Sequence, residues 1–239
     1  WRIGELEQAL DYSEKSFKIH KKIGNKLDIA DSLTHIGLIH SGKGESDKAL
    51  EYYKQCIKIS EELGDRMSVA GVLGFSAIIH SKRGELDKAL EYYKQCKKIY
   101  EELENRKDVA HVLHNIAGIH LYRGELDKTL DYYKQSHKIF KELGHKSPIA
   151  HSLFARGNVF LQKGKFDLAT SNYKQSLEIL EEIGNKIEIS KIFPFLISIA
   201  IEKKEFDEAD KLLKQLKQID EKDKNKYISL NYRFLERWC

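Results

Sequence analysis

The 239-residue chain is 41% apolar and 33% charged, with two prolines and a formal charge of +4. That balance favours amphipathic helices over a disordered chain, and the small charge, with its signs interleaved, argues against the clustered basic face that nucleic acid requires. No run approaches the roughly 18 consecutive apolar residues of a membrane-spanning helix, and three scattered cysteines form no secreted disulfide framework, so a reducing, cytoplasmic setting is expected.

Along the chain one pattern returns: GELEQAL begins at Gly4, GESDKAL at Gly44, GELDKAL at Gly84, GELDKTL at Gly124, GKFDLAT at Gly164 and KEFDEAD at Lys204, a spacing of 40 residues. The opening residue Trp1 falls inside such a unit, which reads as a chain cut from a longer protein. A second series, Gly24, Gly64, Gly144 and Gly184, closes charged amphipathic runs, with Glu104 standing where one more glycine is due. Glycine just past a helix end supplies the left-handed residue that terminates the last turn, so each unit holds two helices. The first of each pair is expected to start at a capping residue near Asp28, Ser68, Asp108 or Ser147, the last followed by Pro148, and to end near Gly44, Gly84, Gly124 or Gly164. The second carries apolar residues such as Ala89, Leu90, Tyr93, Cys96, Ile99 and Leu103 at three- and four-residue steps, a single buried stripe.

A partial unit over 1–26 is followed by units starting near 27, 67, 107, 147 and 187, and by a closing segment over 222–239. In that segment Tyr227, Leu230, Phe234, Leu235 and Trp238 recur at helical spacing as a cap over the last repeat. One leading helix, five pairs and this cap make twelve helices and no strand. Pro194 within the last first helix is expected to kink it.

Within each unit a small residue (Gly37, Ala77, Ala117, Gly157) is followed by Ala49, Ala89, Thr129 or Ala169, then by Tyr53, Tyr93, Tyr133 or Tyr173, then by Cys56, Cys96, Ser136 or Ser176. This small–aromatic–small signature resembles the tetratricopeptide repeat (TPR), in an extended variety of 40 residues. The resemblance implies an all-α, right-handed α-solenoid of antiparallel helix pairs, the TPR superhelix. Departures are His40, His80, His120, Phe160 and Ala200 at a usually aromatic position, and Ile197 at a small one.

By the same resemblance the first helices line a concave groove. A helical wheel turns Ala30, Leu33, Ile36, Gly37 and His40 toward the partner helix, which leaves Thr34, His35 and Leu38 on the outward face. Equivalent positions along the chain are Gly74, Phe75 and Ile78; His111, His114, Asn115 and Gly118; His151, Phe154 and Asn158; and Phe195. Apolar residues on a face that would otherwise be wet point to a ligand groove; the alternative is that these aromatics pack between adjacent repeats. Asn115 and Asn158 are suited to pair with a peptide main chain, and the middle of the face, from Phe75 to Asn158, is the expected site. The carboxylate clamp known in TPR proteins is excluded, because Thr34 and Leu38, Gly74 and Ile78, and His114 and Gly118 stand where Lys and Asn are needed.

His111, His114 and His151 lack the fourth ligand of a closed zinc site, so no metal is assigned. His40, His80 and His120 read better as neutral rings packed at the helix-pair contact, and Cys56 and Cys96 as small core residues. Phosphate-loop, nucleophile-elbow and zinc-protease motifs are missing from the sequence, and no cofactor or catalytic residue is assigned. The expected function is a scaffold that binds a protein or peptide, with neither nucleic acid nor membrane as partner. The alternative is a ligand-sensing regulatory domain of a larger transcriptional or signalling protein.

Overall fold

The computed structural model describes residues 3–223. Eleven α-helices and no strand occur among the described residues: α1 (Ile3–Ile23), α2 (Lys26–Gly42), α3 (Ser46–Leu63), α4 (Arg66–Lys82), α5 (Leu86–Glu102), α6 (Arg106–Tyr122), α7 (Leu126–Glu142), α8 (Lys146–Gln162), α9 (Phe166–Glu182), α10 (Lys186–Glu202) and α11 (Phe206–Asp223). They match the leading helix and five pairs read from the repeat; the cap expected over 222–239 lies outside the described residues, but for the end of α11. Two compact units result, Trp1–Arg123 with α1 to α6 and Gly124–Cys239 with α7 to α11. Inside each, successive helices pack against one another.

The first helices begin earlier than the expected caps. Asn25, Asp65, Asn105 and Asn185 are the N-caps, and their side chains accept from the backbone N–H of Asp28, Ser68, Asp108 and Glu188. Asp28, Ser68 and Asp108 are therefore third helical residues, opposite the cap; Asp28 and Asp108 also accept from the cap amides Asn25 Nδ2 at 2.6 Å and Asn105 Nδ2 at 2.8 Å. The arrangement is reciprocal but differs from a capping box, because the third residue's carboxylate takes its bond from the cap's side-chain amide and not from the cap's backbone N–H. In α8 the cap position is His145, without a side-chain cap bond, and Ser147 and Pro148 lie inside the first turn.

Each first helix ends in the same turn. The N–H of Gly44 reaches Ser41 O and that of Glu45 reaches His40 O, the paired bonds of a Schellman motif, with Gly44 at φ 80°. Glu104 and Lys204 adopt the same left-handed conformation without being glycine, at φ 54° and 61°.

In the first unit Ala30, Leu33, Ala49, Tyr53, Cys56, Val72 and Ile79 form one buried cluster. The second unit has its own, around Ala150, Ala169, Tyr173, Leu180, Ile192 and Leu216. In the α2–α3 and α8–α9 pairs a tyrosine ring lies directly on a glycine: a Cβ on Gly37 would lie 2.4 Å from the Tyr53 ring, and one on Gly157 2.5 Å from that of Tyr173. The buried stripe of α5 ends differently from expectation. Tyr100 closes it, while Leu103, past the helix end, is 37% exposed. Helix α10 runs unbroken through Pro194.

Two outcomes follow from this geometry. Glu104→Gly removes a left-handed strain and should raise unfolding stability by about 1 kcal/mol in a denaturant titration. Gly157→Ala, which drives a methyl into the Tyr173 ring, should lower it by about 1–3 kcal/mol.

Candidate functional site

The outward faces of the first helices carry the residues singled out in the sequence. In the first unit, Leu38 and Ile78 are exposed at 38% and 36%. Thr34 is half-buried and turned back on the helix: its hydroxyl donates to Ala30 O at 3.1 Å and lies 3.1 Å from Cys56 Sγ. Gly74 is half-buried, with Cys96 Sγ 3.6 Å from where a Cβ would stand. Phe75 shows only one side, because its ring packs on Tyr53 of the preceding pair at 5.9 Å between centroids. On α6, His111 and Asn115 are exposed and His114 and Gly118 half-buried.

In the second unit the aromatics form a cluster. Phe154 meets Tyr173 at 5.8 Å and Phe195, edge-on, at 5.4 Å, while Phe195 also meets Tyr173 at 5.6 Å. These rings thus pack between neighbouring helix pairs and present one edge outward. Asn158 accepts the Tyr173 hydroxyl at 2.7 Å, which commits its amide oxygen and leaves the amide nitrogen for other duty. His151 is exposed, its Nε2 3.7 Å from Glu188. Among the described residues no group of three or more His, Cys, Asp or Glu is placed to hold a metal ion.

The histidines at the ends of the first helices are structural. His40 is buried and stacked on Tyr52, with ring centroids 5.3 Å apart, and His80 repeats this on Tyr92 at 5.1 Å. Their Nδ1–H groups donate to Glu45 at 2.9 Å and to Glu85 at 2.8 Å. Hydrogen bonds from Lys48 and then His40 hold the Glu45 carboxyl down at about 2, and Lys88 and His80 lower that of Glu85 in the same way. Cys56 and Cys96 are buried free thiols, and burial pushes Cys96 up to about 12, so it is not a nucleophile.

One feature was missed in the sequence. Between α1 and α2, Leu6, Ala9, Ser13, His35, Leu38 and Gly42 line an apolar trough. Its signal was Ser13, a serine at the place where the later repeats have Tyr53, Tyr93, Tyr133 and Tyr173.

The sequence profile of the tetratricopeptide repeat matches residues 1–62, 68–142 and 108–182. The chain belongs to the tetratricopeptide repeat family. Comparison with curated protein sequences gives no match. Among solved structures, BtubC from P. vanneervenii superposes with a TM-score of 0.79 at 19% identity, covering 90% of each chain. The Signal Transduction ATPase with Numerous Domains from Pyrococcus horikoshii, described with a tetratricopeptide repeat sensor, gives 0.79 at 17% identity over 94% of this chain and 36% of that one. A Rap protein complexed with competence and sporulation factor gives 0.70 at 14% identity over 98% and 70%. At such identities the likeness is one of fold: these TPR helix pairs form an α-solenoid of the same kind. No helix among the described residues is long and apolar enough to cross a membrane.

The lowered carboxyls predict an acid limb. Glu45 and Glu85 have folded-state values below their unfolded ones, so their stabilisation is present above the ordinary carboxylate range and is lost as pH falls through it, for Glu45 down to about 2. The double variant Glu45→Gln, Glu85→Gln should therefore show a shallower loss of melting temperature between about pH 5 and pH 2 than the parent chain.

Proposed function

We propose that this TPR array is a scaffold that binds a protein or peptide segment on the outward face of its first helices, held by apolar anchors and side-chain amides. The observation that carries the reading is the exposure of Leu38 and Ile78 on that face, where water alone would favour polar side chains. Beside them Gly118 adds no side-chain bulk where a Cβ would meet nothing within 4 Å, which lets a ligand main chain approach. In the first unit Asn115 on α6, and in the second unit the amide nitrogen of Asn158 on α8, each supply a polar contact for a main chain on that unit's own face. Phe75, Phe154 and Phe195 offer ring edges that are already fixed by packing, so little entropy is lost when they meet a ligand. The Rap protein of similar fold, complexed with competence and sporulation factor, supports use of such an array to hold a ligand.

A second reading, a ligand-sensing domain of a larger regulatory protein, is favoured by the similarity to an ATPase with a TPR sensor, of which this chain spans little more than a third. The two readings share the face and differ in what binding does to attached domains.

A peptide selected on the intact chain from a random display library provides the test. Ile78→Ser and Phe154→Ala should each weaken its binding by on the order of 2 kcal/mol in a calorimetric titration, while Lys94→Ala on the exposed side of α5 should change it little. Equal binding by both face variants, together with loss in Lys94→Ala, would move the site to the charged second helices. Melting temperatures measured in parallel separate lost contacts from lost packing.

A further inference from the structure

Between α7 and α8 the chain departs twice from the charge pattern of its own repeat. At one place on the first helices Ile36, Ser76, Ile116 and Leu196 are all buried; in α8 that place is Arg156. On the second helices, Lys97 of α5 is answered one turn later by Glu101 at 2.6 Å. One period on, in α7, the same two places are His137 and Lys141, so a second cation stands where the carboxylate was.

These departures meet. Helices α7 and α8 pack against each other, and His137 Nδ1 lies 2.7 Å from the hydroxyl of Ser152, one turn before Arg156 on α8. That hydroxyl donates to Ile149 O at 3.0 Å, so Nδ1–H is the donor to it and Nε2 is left for another partner. Burial first, and then the charges of Arg156 and Lys141, hold His137 below the usual imidazole range. Arg156 is half-buried. Burial lowers its pKa with no carboxylate to offset the loss of water, and its guanidinium has no hydrogen bond or ion pair among the described residues.

A cation deprived of water and given no partner costs stability, and Leu196 shows that the fold does not need one at this place. What a guanidinium in that position can do is accept a ligand. Its planar fork matches the two oxygens of a carboxylate through parallel N–H bonds. Charge selects the same ligand. With His137 neutral and Lys141 exposed, Arg156 supplies the half-buried positive charge alone, so a monoanion cancels it and a phosphate dianion overfills it.

We propose that Arg156, with His137 beside it, forms a carboxylate-binding site between α7 and α8. The carboxylate cancels the charge of Arg156 that acts on His137, so a bound ligand makes the imidazole easier to protonate. The site goes beyond the scaffold reading. Phe154 and Asn158, which belong to the outward face and hold the clamp places excluded above, lie on the opposite side of α8 by helical angle, so either assignment can fail without the other.

The test is an NMR titration of the histidine rings of the intact chain at constant ionic strength, with the His137 signal assigned by its loss in His137→Gln. The probes are N-acetylglycine, N-acetyl-aspartate N-methylamide and, as the uncharged comparison, N-acetylglycine methyl ester. Both acids should raise the His137 midpoint saturably and the ester should leave it in place. A stronger response to N-acetylglycine assigns the site to a small acid or chain terminus, and a stronger response to the aspartate probe assigns it to an acidic peptide side chain. Arg156→Leu should raise the midpoint without any probe, require at least about tenfold more acid for half the response, and melt no lower than the parent chain. Arg156→Met, which keeps the length of the stem, decides the matter should Arg156→Leu lower the melting temperature. A His137 signal that ignores both acids, a response that never saturates, or an equal response in both Arg156 variants overturns the proposal. So does inorganic phosphate that acts at lower concentration than either acid.

Discussion

A tyrosine ring seated on a small residue of its partner helix, a glycine in the α2–α3 and α8–α9 pairs and Ala77 in the α4–α5 pair, lets the two helices of a pair approach closely. Gly37 under Tyr53 and Gly157 under Tyr173 bring the two helices of a pair close enough for Ala49 and Ala169 to be sealed completely. Each ring then does a second job, because its far side receives the next first helix: Phe75 packs on Tyr53, and Phe195 on Tyr173. One residue therefore fixes both the contact within a pair and the contact to the next. Burial pushes the Tyr53 phenol up to about 12, so it stays neutral in this role.

Around that apolar seat the repeat places polar locks at both ends. The turn after a first helix is closed by backbone bonds and again by the side chain of a buried histidine donating to a glutamate, as His40 does to Glu45 and His80 to Glu85. Outside, cations reach across to the preceding second helix: Arg83 meets Asp47 at 2.6 Å in the first unit and Lys203 meets Asp167 at 3.2 Å in the second. Such exposed pairs each contribute little. Their value lies in register, since they are formed only when successive pairs are stacked in step.

Much of this was legible because a 40-residue period writes the same instruction several times. The glycine places were readable down to Glu104, whose left-handed backbone follows from the turn and not from its own preference. What the wheel could not decide was depth. Phe75 and Phe154 face outward by helical angle, yet a ring of the neighbouring pair, Tyr53 for Phe75 and Phe195 for Phe154, covers one side of each, a contact set by the separation of pairs and invisible in a single helix. The helix starts lie earlier than the sequence pattern predicts for a simpler reason: Asn25 and Asp28 are both good capping residues, and Asn25 holds the cap with Asp28 as its side-chain partner.

The departures from the repeat carry a different kind of information from the repeat itself. A position that keeps its residue from unit to unit, as the tyrosine does from Tyr53 to Tyr173, answers to the stack and tells nothing of a partner. His40 and His80, which leave the family pattern, also answer to the stack, because each finds a tyrosine to lie on and a glutamate to bond. Leu213 shows that losing the tyrosine is tolerated when the facing residue grows, as Ile197 does. The constraint that makes the array regular is thus also what gives its irregular positions their meaning.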